Sequence, residues 1–149
     1  MKTTLLPGPV LVDPGDGERV NVIGDQQTIK LSGAQTGGAF AVIEETYRPG
    51  SGVPLHFHTQ EDVVFYIVEG HMDFTVGAKE ISGDAGSTIF LPRAVPHSSK
   101  AGPQGAKAVV VLLPGGGEKM FRELNALPAG EPDFSRVRSV CKRYGVHFV

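Results

Sequence analysis

The sequence predicts an all-β barrel or sandwich that is followed by a helical tail. Short apolar or alternating segments recur at roughly 8–12-residue spacing, which is typical of antiparallel β-domains. The chain has 149 residues, and its 20 glycines and 11 prolines are spread between these segments as turns. Helical periodicity begins only near residue 118. We therefore expect a single domain over residues 1–149, with a barrel at about 19–114 and a helical tail at about 118–145.

The first predicted elements precede residue 50. Residues 3–17 contain three prolines and three glycines, which predicts an irregular arm with at most a short edge strand at 10–12. Segments 19–24 and 27–31 alternate polar with apolar residues around a turn and predict a β-hairpin. Residues 38–47 predict the next strand.

Four later segments predict further strands, at 63–68, 71–76, 87–91 and 107–113. The first of them stops at Glu69-Gly70 and is apolar on both faces, which is unusual for a strand with one face in water. Something should cover its outer face, and a second copy in a homodimer is the simplest candidate.

The tail predicts two helices. Met120, Phe121, Leu124 and Leu127 have helical spacing, and the pattern repeats over residues 133–144. Asp133 is placed to act as an N-cap, and a glycine at 145 follows the second helix. We expect this tail to lie outside the barrel, where it covers apolar surface or packs against a second subunit.

Composition narrows the class of protein. The formal charge is −2 and there is no basic cluster, so nothing indicates a nucleic-acid partner. No apolar run reaches the roughly 20 residues of a membrane helix, and the N-terminus lacks the pattern of a signal peptide. These features predict a cytoplasmic protein without a membrane partner. Cys141 is the only cysteine, which excludes an internal disulfide.

Three histidines predict a metal site. His56 and His58 are two residues apart on an extended segment, so their side chains lie on one face while Phe57 points away. A later, proline-bounded loop supplies His97. Histidine is a common ligand of transition metals. His71 has the opposite strand parity and His147 lies near the C-terminus, so neither is expected in the site.

Two motifs resemble those of the cupin superfamily. Gly50, His56, His58 and Gly70 match the first motif, and Gly86, Pro92 and His97 match the second. Ala94 and Ala101 replace a glycine and an asparagine of the second motif. The resemblance implies a double-stranded β-helix, or jelly-roll, barrel that holds one metal ion near its centre. The tail is similar to those of small bacterial cupins related to quercetin dioxygenases.

One position departs from the cupin pattern. Val63 stands where the family places a metal-binding glutamate. Three alternatives follow: a site of His56, His58 and His97 alone, a site in which Glu61 or Asp62 adds a ligand, or a barrel that has lost its metal. The resemblance implies a divalent transition metal, which can be Fe, Ni, Mn or Zn. Arg93 lies close in sequence and is a candidate anchor for an anionic or phenolic substrate.

The predicted pocket is mostly apolar. Strand parity places the following side chains inside the barrel, as pocket lining or as plain core: Val63, Phe65, Ile67, Met72, Phe74 and Phe90. Such a wall suits a flat hydrophobic molecule. Together with the resemblance, it predicts a dioxygenase-like enzyme for a small aromatic or β-dicarbonyl compound. The alternatives are a non-oxidative isomerase or cyclase, and a non-catalytic small-molecule-binding cupin.

Overall fold

The computed structural model describes residues 7–128 and 130–149. Within these ranges the chain forms nine strands and two helices. In chain order they are β1 (Glu18–Val22), β2 (Asp25–Leu31), β3 (Ala41–Tyr47), β4 (Gly52–His58), β5 (Asp62–Val76), β6 (Lys79–Asp84), β7 (Thr88–Leu91), β8 (His97–Leu113), α1 (Glu118–Asn125), α2 (Phe134–Arg143) and β9 (Val146–Phe148). Residues 3–6 of the predicted arm lie outside the described ranges, and the strand predicted at 10–12 does not form.

The strands curl into a jelly-roll barrel, as predicted. One path of hydrogen-bonded neighbours runs β1-β2-β3-β8-β4-β9, and β5 pairs with β6, β7 and β8. All these pairs are antiparallel. The two longest strands, β5 and β8, pair along most of their length and connect the two parts of the sheet.

Strand β5 is longer than predicted because Gly70 does not end it. The register with β8 shifts on both sides of Glu69-Gly70, and pairing then continues to Val76. Gly70 has φ +81°, and a Cβ there would collide with the carbonyl oxygen of Gly105 on β8. The glycine therefore permits a close backbone approach at an irregular point within the strand.

The barrel core is formed by the inward residues of alternating strands. Five side chains predicted to face inward are at most 8% exposed: Val63, Phe65, Ile67, Met72 and Phe74. Phe90 does not share this orientation, because it is 58% exposed while its neighbours Ile89 and Leu91 are buried. Its register partner on β5 is Val64, which is on the outer face. The predicted inward orientation of Phe90 is wrong.

The helical tail packs on its own barrel. The Asp133 carboxylate accepts hydrogen bonds from the backbone N–H groups of Ser135 and Arg136, as expected of an N-cap. After Gly145, which has φ +77°, the chain forms β9 and pairs with β4, an element that the sequence did not predict. Neither described helix is long and apolar enough to cross a membrane.

A buried acid anchors the start of this tail. Glu118 is 1% exposed, and its carboxylate accepts hydrogen bonds from the backbone N–H groups of Gly33 and Gly116 at 2.7 and 2.8 Å. The hydrophobic cluster of the tail and that of the barrel share Val22 and Phe121 at their margins. The two hydrophobic clusters are therefore contiguous, and the tail packs directly on the barrel.

Candidate metal centre

Three buried histidines from two neighbouring strands converge inside the barrel. His56 and His58 lie at the end of β4, on the same face of the strand. His97 is the first residue of β8 and is the register partner of His56. The nearest ring centroids are those of His56 and His97, at 4.3 Å. One nitrogen from each of the three rings lies within 4.8 Å of the others. This arrangement is the one that the sequence predicted from parity and motif.

Hydrogen bonds set which ring nitrogen faces the cluster centre. The Nδ1–H of His56 donates to the Pro54 carbonyl oxygen at 2.7 Å, and that of His97 makes a longer 3.4 Å contact with the Val95 carbonyl. A carbonyl oxygen can only accept, so Nδ1 carries the proton in both rings. The unprotonated Nε2 atoms are left to bind a cation, as in many metal sites of proteins.

Burial keeps two of these rings neutral. It lowers the pKa of His56 to about 4 and that of His97 to about 3, with the neighbouring imidazoles adding to the effect. Neutral imidazole is the form that binds a metal ion. His56 and His97 therefore offer a transition metal two neutral donors.

Glu61 lies behind His58. Its Oε2 accepts a hydrogen bond from His58 Nδ1 at 3.0 Å, and the side chain is 5% exposed. A carboxylate on the far nitrogen orients a metal-binding imidazole and makes it more basic. Gly117 leaves space for this carboxylate, since a Cβ there would lie 2.9 Å from Glu61 Oε1. Glu61 is placed to support His58 and is not part of the converging cluster.

Asp62 and Arg93 bind each other outside the site. Asp62 Oδ1 accepts from the Arg93 backbone N–H at 2.8 Å, and the guanidinium lies 3.4 Å away. These hydrogen bonds lower the pKa of Asp62. Neither side chain lines the cavity among the described residues. The structure therefore gives no support to Asp62 as a ligand or to Arg93 as a substrate anchor.

A cavity of about 980 Å³ opens from the three histidines and runs between barrel and tail. Its size is at the upper end of the range of about 300–1,000 Å³ usual for small-molecule sites. Apolar side chains from both parts line it: Val63, Phe65, Val110 and Leu112 from the barrel, and Met120, Phe121, Leu124 and Phe148 from the tail. Ile67, Met72 and Phe74, predicted as lining, belong to the hydrophobic core. They are not among the described lining residues.

A polar group of three residues, here called the polar subsite, lines another part of the same cavity. It consists of Gln27, Glu45 and Tyr47. The Tyr47 hydroxyl donates to Glu45 Oε2 at 2.9 Å, and the Gln27 side chain also hydrogen-bonds this carboxyl. Burial raises the pKa of Glu45 from 4.5 to about 7 and holds that of Tyr47 well above its ordinary value.

Sequence reasoning missed Glu45, although a signal was present. Ala41, Ile43 and Tyr47 are the apolar residues of β3 with odd numbers, and Glu45 has the same parity. All four are buried, whereas Glu44 points outward and forms an ion pair with Lys107 at 3.1 Å. An acid on the apolar face of a strand indicates a functional or structural role for that acid.

Comparison with known proteins identifies the family. The family model for the cupin domain matches residues 43–116, which include all three histidines. The fold agrees with that of KdgF from Halomonas sp., with a TM-score of 0.67 over 75% of this chain and 99% of that chain at 15% identity. The chain is a cupin. It also resembles an RmlC-like cupin from Shewanella frigidimarina, with a TM-score of 0.65 and 17% identity over 77% of this chain and 99% of the other.

One curated relative of this cupin is a quercetin 2,3-dioxygenase of Bacillus subtilis. The two are 31% identical over 117 residues, which are 78% of this chain and 34% of the relative. The cupin thus spans about a third of the relative's length. A structural neighbour with another activity is Pac13, described as a nucleoside dehydratase, with a TM-score of 0.61 and 17% identity over 75% of this chain and 88% of that chain. The structural likenesses concern the fold alone.

Proposed function

We propose that this cupin is a metal-dependent, dioxygenase-like oxidoreductase that acts on a small aromatic or β-dicarbonyl compound. The observation that carries the proposal is the convergence of three buried histidines inside a large, mostly apolar cavity. The similarity to a quercetin 2,3-dioxygenase supports the choice of chemistry.

The donor set fits a first-row divalent metal. Imidazole nitrogen suits Fe, Ni and Zn, and Mn is a further candidate among ions that accept mixed donors. His56, His58 and His97 would hold the ion, and Glu61 would fix the His58 ring. A metal held by three imidazoles keeps positions open at which a substrate oxygen and a co-substrate can bind and be polarised.

The other residues of the cavity select and shield the substrate. Val63 and Phe65 offer an apolar surface beside the histidines, which favours a flat ring over a charged group. Residues of α1 and β9 close the cavity from the tail side and reduce its contact with water. Val63 also leaves no acid at the position that cupins commonly use, so any proton acceptor must come from elsewhere in the cavity.

Oxygen uptake tests the proposal. The chain would be reconstituted separately with Fe²⁺, Mn²⁺, Ni²⁺ and Zn²⁺ and supplied with quercetin and with acetylacetone. We expect uptake with at least one redox-active metal and none with zinc or with the His58→Ala variant. His71→Ala, which changes an exposed histidine outside the cluster, should retain the wild-type rate. Absence of turnover with every metal would overturn the proposal.

A non-oxidative isomerase or cyclase is the second candidate function. It is favoured by Glu45 and Tyr47, because a buried carboxyl whose pKa is near 7 can exchange protons with a substrate at neutral pH. Conversion of a β-dicarbonyl compound at the same rate without oxygen would select this candidate. Tight binding of the same compounds with no chemical change would instead indicate a non-catalytic binding protein.

We also propose that the cupin forms a homodimer through the outer face of β5 and β7. Tyr66, Val68 and Phe90 are 48%, 39% and 58% exposed there, a cluster of large apolar side chains on neighbouring strands. Light scattering of the purified chain should give the mass of two copies, and Phe90→Asp should shift it toward one. A monomeric wild type at micromolar concentration would contradict the dimer. The cytoplasmic location stays a prediction.

A further inference from the structure

Gln27 on β2 and Glu45 on β3 lie opposite each other on neighbouring strands, and both line the cavity. They are register partners of β2 and β3, and both side chains point into the barrel. Tyr47 lies two residues further along β3 on the same face and donates to the Glu45 carboxyl. The three side chains therefore form one connected polar subsite on an otherwise apolar wall.

One atom of this group has no partner. Gln27 is 2% exposed, and its Oε1 accepts no hydrogen bond from any described residue. Buried polar atoms in folded proteins nearly always have a partner, and an exception calls for an explanation such as a catalytic role or a bound water or ion. Oε1 is an acceptor only, so the missing partner must be a donor such as a hydroxyl.

The surroundings of Glu45 make it suitable for holding a proton. Burial raises its pKa to about 7, against the opposing effect of the bonds from Tyr47 and Gln27, and Asp25 on β2 adds a smaller increase. The Asp25 carboxylate is itself bonded to Arg48 and Ser51. The register partner of Glu45 on β8 is Ala108, which is uncharged. Among the described residues, the titratable groups that line the cavity outside the polar subsite are Asp25, Arg48, His56, His58, His97, Glu131, Asp133, Arg136 and Cys141.

We propose that Gln27, Glu45 and Tyr47 form a second binding subsite for the hydroxyl group of a phenolic or enolic substrate, with Glu45 as the proton acceptor. The substrate O–H donates to the Glu45 carboxylate. The substrate O–H bond then breaks, the Glu45 carboxyl gains the proton and donates it in a hydrogen bond to Gln27 Oε1, and the substrate keeps the negative charge. The Tyr47 hydroxyl holds the receiving carboxyl in place.

This subsite deepens the proposed function and depends on it for its place in catalysis. The charge produced on the substrate lies in the same cavity as the histidines, where a cation would attract it. This chain has Val63 at the position where cupins place an acid beside the metal. Glu45 supplies an acid from a different strand. The substrate class is then an aromatic molecule with an acidic hydroxyl, rather than any apolar molecule of suitable size.

Binding of quercetin, measured by absorbance, tests the subsite without turnover. Zinc-loaded and metal-free protein would be titrated at pH 8, where a phenolate is distinguished from the neutral phenol by its absorption at longer wavelength. We expect the wild type to bind quercetin as the anion in both forms. Glu45→Gln should bind it neutral and about tenfold more weakly, and Gln27→Leu should weaken binding about tenfold.

Two controls separate a specific effect from misfolding. Glu44→Gln makes the same chemical change on the outer face of β3 and should bind quercetin like the wild type. Flavone, which has no hydroxyl group, should bind to the wild type and to Glu45→Gln with equal affinity. If Glu45→Gln does not fold, as judged by circular dichroism, Tyr47→Phe replaces it and should reduce the anion fraction of bound quercetin.

The outcomes distinguish the subsite from the proposed function. Anion formation that depends on Glu45, together with no oxygen uptake under any metal, leaves the subsite standing and removes the dioxygenase. Oxygen uptake with quercetin that is unchanged in Glu45→Gln, together with unchanged binding, removes the subsite alone. Equal loss of quercetin and flavone affinity in Glu45→Gln also overturns the subsite, because the residue would then act only on packing.

Discussion

The histidine end of the cavity and the polar subsite are both buried and polar, but burial shifts the pKa values of their side chains in opposite directions. At the histidine end, burial lowers the pKa of His56 and His97, so these groups give up their protons. In the polar subsite, burial raises the pKa of Glu45 to about 7, so this group can both bind and release a proton near neutral pH. The same desolvation therefore prepares neutral ligands for a cation at one place and a proton-exchanging acid at the other.

The largest expected effect concerns the histidine end. His58→Ala removes one of three converging nitrogens and should abolish stoichiometric zinc binding, because two imidazoles form an incomplete site. Isothermal titration with zinc measures this, with His71→Ala as the control. Glu45→Gln should leave zinc affinity unchanged, and a parallel loss of zinc binding in that variant would erase the contrast between the two regions.

The next effect is the pH dependence of stability from Glu45. The folded pKa of about 7 exceeds the ordinary 4.5, so between these values the folded state holds a proton that the unfolded state has released. The stabilising effect is complete below pH 4.5 and is lost as pH rises through about 7, which amounts to about 3 kcal/mol. Urea unfolding of wild type and Glu45→Gln should show their difference in unfolding free energy changing by this amount.

Glu44→Gln serves as the control for this titration. Glu44 lies on the outer face of β3, so this variant should follow the wild-type pH dependence. Titration of the histidines is common to all three proteins and cancels in the differences. Parallel curves for wild type and Glu45→Gln would show that Glu45 ionises as an exposed acid does.

A smaller effect is expected from the carboxylate behind His58. Glu61→Gln keeps the shape of the side chain but weakens the acceptor for His58 Nδ1–H, and should lower zinc affinity about 10–100-fold. Asp62→Asn, the neighbouring acid that binds Arg93, is the matched control and should change zinc affinity little. Equal effects of the two variants would mean that general charge, rather than the contact with His58, governs binding.

The smallest effect lies in the tail, which closes both regions of the cavity. Asp133→Ala removes the side-chain acceptor of the two N-terminal amides of α2 and should cost about 1 kcal/mol of unfolding free energy. Thermal unfolding measures the change. Zinc affinity at room temperature should stay at the wild-type value, and a large drop would indicate that α2 positions the histidines.

The convergence of the three histidines could be predicted from the sequence because strand parity and motif spacing are local properties. His56 and His58 needed only an extended backbone to share a face, and His97 was found through the second motif. The same rule failed for Phe90, since parity is unambiguous only once the face of one residue in the strand is known. In β7 the buried residues are Ile89 and Leu91, and the largest side chain is the exposed one.

Other features depend on contacts between distant parts of the chain. Strand β9 has only three residues, and it forms because Val146–Phe148 meets the free edge of β4. The polar subsite requires the register that places Gln27 opposite Glu45. Strand parity could have placed Glu45 on the buried face, but its hydrogen bonds and its unpartnered neighbour come from tertiary structure.

The metal content of the protein tests the central claim most directly. The wild-type chain and the His58→Ala variant would be purified without chelators and dialysed against zinc. Their metal content would then be measured by inductively coupled plasma mass spectrometry. We expect close to one transition-metal ion per wild-type chain and a value near zero in the variant. A wild-type value near zero, in protein shown to be folded, would contradict the assignment of these histidines as a metal centre.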